Sequence, residues 1–152
     1  MTVSITDTSV LVLLAQRDSF SVLARLALPA IVPDIIETEE ILPAAAKHPE
    51  HVQRYQLAKQ SGLFRLEPLL GAAYGDYLRL RKRRSSPARN RGEDACVALA
   101  LLYPGSVIYL DDDRGANRAR DELGDPARVK TSADLPWIGL PVLVRRERDG
   151  AG

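Results

Sequence analysis

The sequence predicts an α/β domain on a mostly parallel sheet, and three observations carry that prediction. Short apolar runs alternate along the chain with helix-compatible stretches, the pattern of strands joined by helical crossovers. The clearest run, Val107 to Leu110, is apolar throughout, as a strand interior to a parallel sheet should be, and it discharges into Asp111, Asp112 and Asp113. The chain has 152 residues, 45% hydrophobic and 27% charged, which is enough for one core and too little for two.

In order, Val3 to Ile5 alternates and ends at TDTS, a short buried strand running into a turn. Apolar residues then recur at Val10, Leu11, Leu13 and Leu14, and again at Val22, Leu23 and Leu26, with polar QRDS between, which predicts two helical pieces with a break before Pro29. Ala30 to Val32 reads as a second strand, and Pro33 opens a helix ended by Pro43, with Asp34 in its first turn. Ala44 to Gln60 is helix-compatible up to Gly62, Leu63 to Leu66 is a strand candidate, and Leu69 to Arg84 is again helix-compatible. An apolar helix follows from Ala95 to Leu102 and is stopped by Pro104 and Gly105. After the Val107 strand come a short helix to Leu123, ended by Gly124, and a last strand at Val129 to Thr131. One domain over residues 1–144 with a tail at 145–152 is the expected organisation.

The longest unbroken apolar run, Ala95 to Tyr103, is far shorter than the roughly 20 residues of a bilayer span, so no membrane is expected. MTVSITD has no basic leader and carries Asp7 where a signal peptide would be apolar, which points to the cytoplasm. Cys96 is the single cysteine and His48 and His51 are the only histidines, too few for a Cys/His zinc site, so any chemistry must come from oxygen ligands.

The net charge of +1 conceals an asymmetry. RLRKRRSSPARNR, residues 79–91, holds Arg79, Arg81, Lys82, Arg83, Arg84, Arg89 and Arg91 and no acid, leaving −6 on the rest of the chain. An acidic body with one basic segment suits phosphate contacts, because Lys and Arg gain affinity for nucleic acid by releasing counterions.

The acids fall in an informative order. In a parallel α/β sheet, ligands gather outside the carboxyl ends of the strands, where Asp7 and the Asp111 to Asp113 cluster are expected. On the helix after Pro33, Ile35, Ile36 and Leu42 define an apolar stripe at about 100° per residue, which puts Glu39 near its centre, Glu37 opposite and Glu40 at its edge. A carboxylate aimed inward needs a cation, a partner or a raised pKa. Glu93 and Asp94 open the next apolar helix, where the helix dipole favours acids in any case. Four acidic positions on four elements make a hard-cation site suited to Mg²⁺ or Mn²⁺, and metal-assisted attack of water on a phosphodiester is the chemistry to expect.

The succession TDTSVLVLL, IVPDIIETEEIL, RGEDACVALALL and SVIYLDDDRGANRARDELG resembles the PIN-domain ribonucleases, especially the VapC-like toxins of bacterial toxin–antitoxin pairs. The resemblance spans about Val3 to Gly124 and rests on motif order and spacing. It implies a three-layer α/β/α sandwich with a mostly parallel sheet, a divalent-metal site and hydrolysis of RNA. By position it implies Asp7, Glu39, Glu93 or Asp94, and Asp111 or Asp113 as the acids, with Thr8 and Ser9 in support. It also implies a homodimer silenced by an antitoxin. A non-catalytic scaffold of the same fold, holding RNA or a protein, is the alternative expectation.

Overall fold

A computed structural model describes residues 2–83 and 90–137. Arg84, Arg89 and the expected tail therefore lie outside the described residues. Five parallel strands form one sheet in the order β3-β2-β1-β4-β5: β1 is Ser4–Thr6, β2 Ala30–Pro33, β3 Arg65–Glu67, β4 Val107–Tyr109 and β5 Val129–Lys130. Ile5 lies level with Ile31 on one side and Ile108 on the other, all three fully buried, which is why these strands read as continuous apolar runs.

The helices are α1 (Thr8–Gln16), α2 (Asp34–Ile36), α3 (Pro49–Gln60), α4 (Gly71–Lys82), α5 (Arg91–Leu102) and α6 (Asp113–Leu123). Right-handed crossovers place α1 and α3, which pack on each other, on one face of the sheet, and α5 and α6 on the other. The result is a three-layer α/β/α sandwich. Among the described residues no helix is long and apolar enough to cross a membrane.

Helix α5 is the centre of its layer. It packs against β1, β2 and β4 and against α2, α4 and α6, and every residue from Gly92 to Ala100 is buried. Its far end is held by Arg128, which donates to the carbonyls of Ala100 at 2.6 Å and Tyr103 at 3.3 Å, groups that a helix C-terminus leaves without partners. Cys96 lies inside this layer as a core residue.

Two elements depart from the sequence expectation. The helix expected from Ala44 begins only at Pro49, because a 3₁₀ stretch, Leu42–Ala46, precedes it. The helix after Pro33 winds into a π-turn, Glu37–Ile41, in which the Leu42 N–H donates to the Glu37 carbonyl. That winding brings Ile36 and Ile41, five residues apart, into the core together, while Leu42 is left 39% exposed. The buried side of this segment is therefore not the Ile35, Ile36 and Leu42 stripe.

Candidate functional site

The strand order reverses between β1 and β4: the chain winds outward through β2 and β3, then returns to add β4 and β5 on the other side. The crevice outside the carboxyl ends of β1 and β4 is the topological switch point, the usual ligand position in such sheets. Asp7 follows β1 directly and Asp112 lies just beyond β4; each is the N-cap of the helix that comes next. The Asp7 carboxylate accepts from the Ser9 N–H at 3.3 Å and the Ser9 hydroxyl at 3.2 Å, and that hydroxyl accepts from the Asp111 N–H at 3.1 Å. Ser9 thus fastens the two strand ends together.

Two more carboxylates reach this crevice from the α5 layer. Glu40, in the π-turn, accepts from the Thr8 hydroxyl and, at 3.4 Å, from the Gly92 N–H. Glu93, buried on the first turn of α5, lies against Gly115 of α6, where Asp112 also arrives. The Gly115 N–H donates to Asp112 at 2.7 Å. A methyl group on Gly115 would overlap the Glu93 carboxylate, and one on Gly92 would overlap Glu40 and stand 2.8 Å from Ile36. Both glycines are small because carboxylates occupy the space beside them.

Asp7 records this convergence. Burial pushes its carboxyl up to about 7, with Glu40 and Glu93 adding like-charge repulsion and backbone hydrogen bonds from Ser9 and Thr8 opposing the rise. Burial and the same acids hold the Cys96 thiol, whose sulfur is 4.0 Å from Asp7, well above its ordinary range, so it stays protonated.

Several expected site residues stand elsewhere. Glu39 does not point inward: the π-turn rotates it outward, 43% exposed, onto Arg91 at 2.6 Å, and Glu40 takes the inward place. Glu37, expected opposite the core, is buried and paired with Lys59 at 2.6 Å. Asp94 is fully inside and clamped by Arg81 and Arg118, each at 2.8 Å, with Arg118 also donating to the Leu80 carbonyl at 3.0 Å. Its neighbour Glu93 faces the crevice instead, because adjacent residues on a helix are about 100° apart. Asp111 turns to accept from the Ser132 N–H at 2.7 Å, and Asp113 lies exposed in the first turn of α6.

The basic segment is corrected in the same way. Arg81 is an interior residue, 11% exposed, used up on Asp94. Arg79 and Arg83 share Glu122 of α6, and Arg91 holds Glu39, while Lys82 is exposed. His48 and His51 stack at the start of α3, beside an apolar cavity of about 60 Å³ that Glu40 also lines.

Asp7, Glu40, Glu93 and Asp112 form an all-oxygen donor set of the kind Mg²⁺ or Mn²⁺ takes. Among the described residues no three such side chains are drawn around one point tightly enough to hold an ion as they stand. Glu40 and Glu93 are turned onto Gly92 and Gly115. The elevated Asp7 carboxyl shows what such an ion would relieve: negative charge confined in a buried place.

The chain matches no protein-family model and no curated protein. The site therefore rests on its own geometry.

Sequence reasoning ranked Glu40 behind Glu39, named Asp112 only as a member of the Asp111 to Asp113 cluster, and passed over Gly92 and Gly115. The readable signal for the first was Ile41, whose apolar partner five residues back is the mark of a π-turn. For Gly115 it was a glycine inside the first turn of a helix, where nothing local requires one.

Proposed function

We propose that this protein is a Mg²⁺- or Mn²⁺-dependent endoribonuclease, hydrolysing RNA phosphodiester bonds at the β1/β4 crevice. The observation that carries the reading is that Glu40 and Glu93 act on the buried Asp7 carboxyl at the switch point of the sheet, with Asp112 next to Glu93 at Gly115. A divalent cation supplies Lewis-acid chemistry there, making water more acidic and offsetting charge on the phosphate. Asp7, Glu40 and Glu93 would hold it, with Asp112 beside Glu93. Ser9 and Thr8 orient Asp7 and Glu40, and the Gly92 and Gly115 N–H groups fix the carboxylates that border them. Asp94, Arg81 and Arg118 keep α4, α5 and α6 in register, and so hold Glu93 in place.

The resemblance to VapC-like toxins supports a cytoplasmic homodimer whose activity a cognate antitoxin suppresses. Exposed cations of the 79–91 segment, Lys82 and Arg91 among them, would follow the RNA backbone, contributing affinity rather than sequence preference.

The test is cleavage of a mixed RNA pool by purified protein with Mn²⁺ or Mg²⁺, beside an EDTA control and Asp7→Asn. Metal-dependent cutting that the variant loses is the expected result. RNA binding without metal-dependent cutting would instead favour the scaffold reading.

A further inference from the structure

We infer that Glu39 is a built-in competitor for the RNA phosphate: it occupies Arg91 at the rim of the crevice, and RNA must displace it to engage that guanidinium. This inference rests on the RNA-binding reading above. Glu39 and Glu40 are consecutive in the π-turn, and Arg91 and Gly92 are consecutive at the start of α5. The Glu40 contact to the Gly92 N–H therefore has the Glu39–Arg91 pair beside it, the first part-buried and the second half-exposed.

The other paired arginines of the segment are differently placed. Arg81 is sealed against Asp94, and Arg79 and Arg83 face Glu122 on α6. The side chains of Arg91 and Glu39 are 41% and 43% exposed, and an ion pair so open to water is weak. Phosphate offers the same planar two-oxygen face to a guanidinium that a carboxylate does, which makes the exchange a direct substitution. Carboxylate for phosphate leaves the charge on Arg91 satisfied in both states.

The experiment measures binding of the full chain to a fluorescein-labelled single-stranded RNA by anisotropy, in EDTA so that nothing is cut, over a range of KCl concentrations. Glu39→Gln should tighten binding about three- to tenfold by removing the competitor, whereas Arg91→Ala should lower the log–log salt slope by about 0.7, the value of one lost single-strand phosphate contact. Arg91→Ala should weaken binding, Arg91→Lys should retain part of it, and Glu39→Gln/Arg91→Ala should bind as Arg91→Ala does. An unchanged affinity in Glu39→Gln, or an unchanged salt slope in Arg91→Ala, overturns the inference. So does an equal tightening in the Arg91→Ala background, since that would be a general charge effect without displacement. Thermal melts establish that each variant is folded. Coupled binding without metal-dependent cleavage would leave this exchange standing and remove the hydrolytic reading; cleavage without the coupling would do the reverse.

Discussion

Two short turns each present a pair of adjacent acids near the crevice, and they divide them differently. In the first turn of α5 both acids are buried: Glu93 faces Asp112 across Gly115, while Asp94 is neutralised by two arginines. Of the adjacent acids in the π-turn, Glu40 turns toward Thr8 and Gly92, and Glu39 remains half-exposed on a single arginine. A carboxylate that serves the scaffold is satisfied on both oxygens, whereas those directed at Asp7 raise its proton affinity. Burial alone does not separate the two roles. What separates them is that Asp94 faces two guanidinium groups, whereas Glu40 and Glu93 act on the Asp7 carboxyl.

Asp94→Ala breaks this contrast most severely. It leaves Arg81 and Arg118 facing a buried void, and removing one partner of a buried charge network costs about 3–5 kcal/mol. Urea unfolding should show that loss, whereas Glu93→Gln should unfold close to wild type yet lose cleavage. Equal stability of the two variants would mean that Asp94 is no anchor.

Asp7→Asn should stabilise the metal-free protein, in a pH-dependent way. The folded carboxyl titrates near 7 against 3.8 for the ordinary group, so between those values the native state binds more protons than the unfolded one. This group's contribution is therefore most favourable at low pH and declines as pH rises toward 7. In urea unfolding with EDTA, the variant's advantage should grow between pH 4 and pH 7 by about 2–4 kcal/mol and level off above that. Mn²⁺ should raise the melting temperature of wild type and not of the variant, because a ligand of the native state stabilises it. An advantage independent of pH would contradict the confined-charge account.

Gly115→Ala sharpens the contrast with the smallest change in stability. In a helix, Ala normally gains up to about 1 kcal/mol over Gly, but here the methyl must displace the flexible ends of Glu93 and Asp112. Melting should shift little while metal-dependent cleavage falls. Full activity would show that Glu93 has no need of its position against α6.

Much of the fold was legible because its signals are local. The strands at Val3, Ala30 and Val107, the stop at Gly124 and the helix through Ala95 to Leu102 each follow from residues within a few positions. Asp7 was legible for the same reason, since an acid directly after a buried strand sits at the carboxyl edge of the sheet in almost any α/β arrangement. The π-turn was not: a uniform 100° step carried Glu39 inward, and only the joint burial of Ile36 and Ile41 against the core reverses the assignment. The basic run was legible as charge but not as surface, because Arg81 finds its partner on α5, thirteen residues away.

By itself, the sequence determined the layering, the order of the elements and the presence of acids at the strand ends, because periodicity and turn chemistry act over a few residues. Only the tertiary structure decided which member of each acid pair enters the crevice. That choice depends on whether a distant element offers a carboxylate or a guanidinium in the space next to it, and chain proximity holds no record of that.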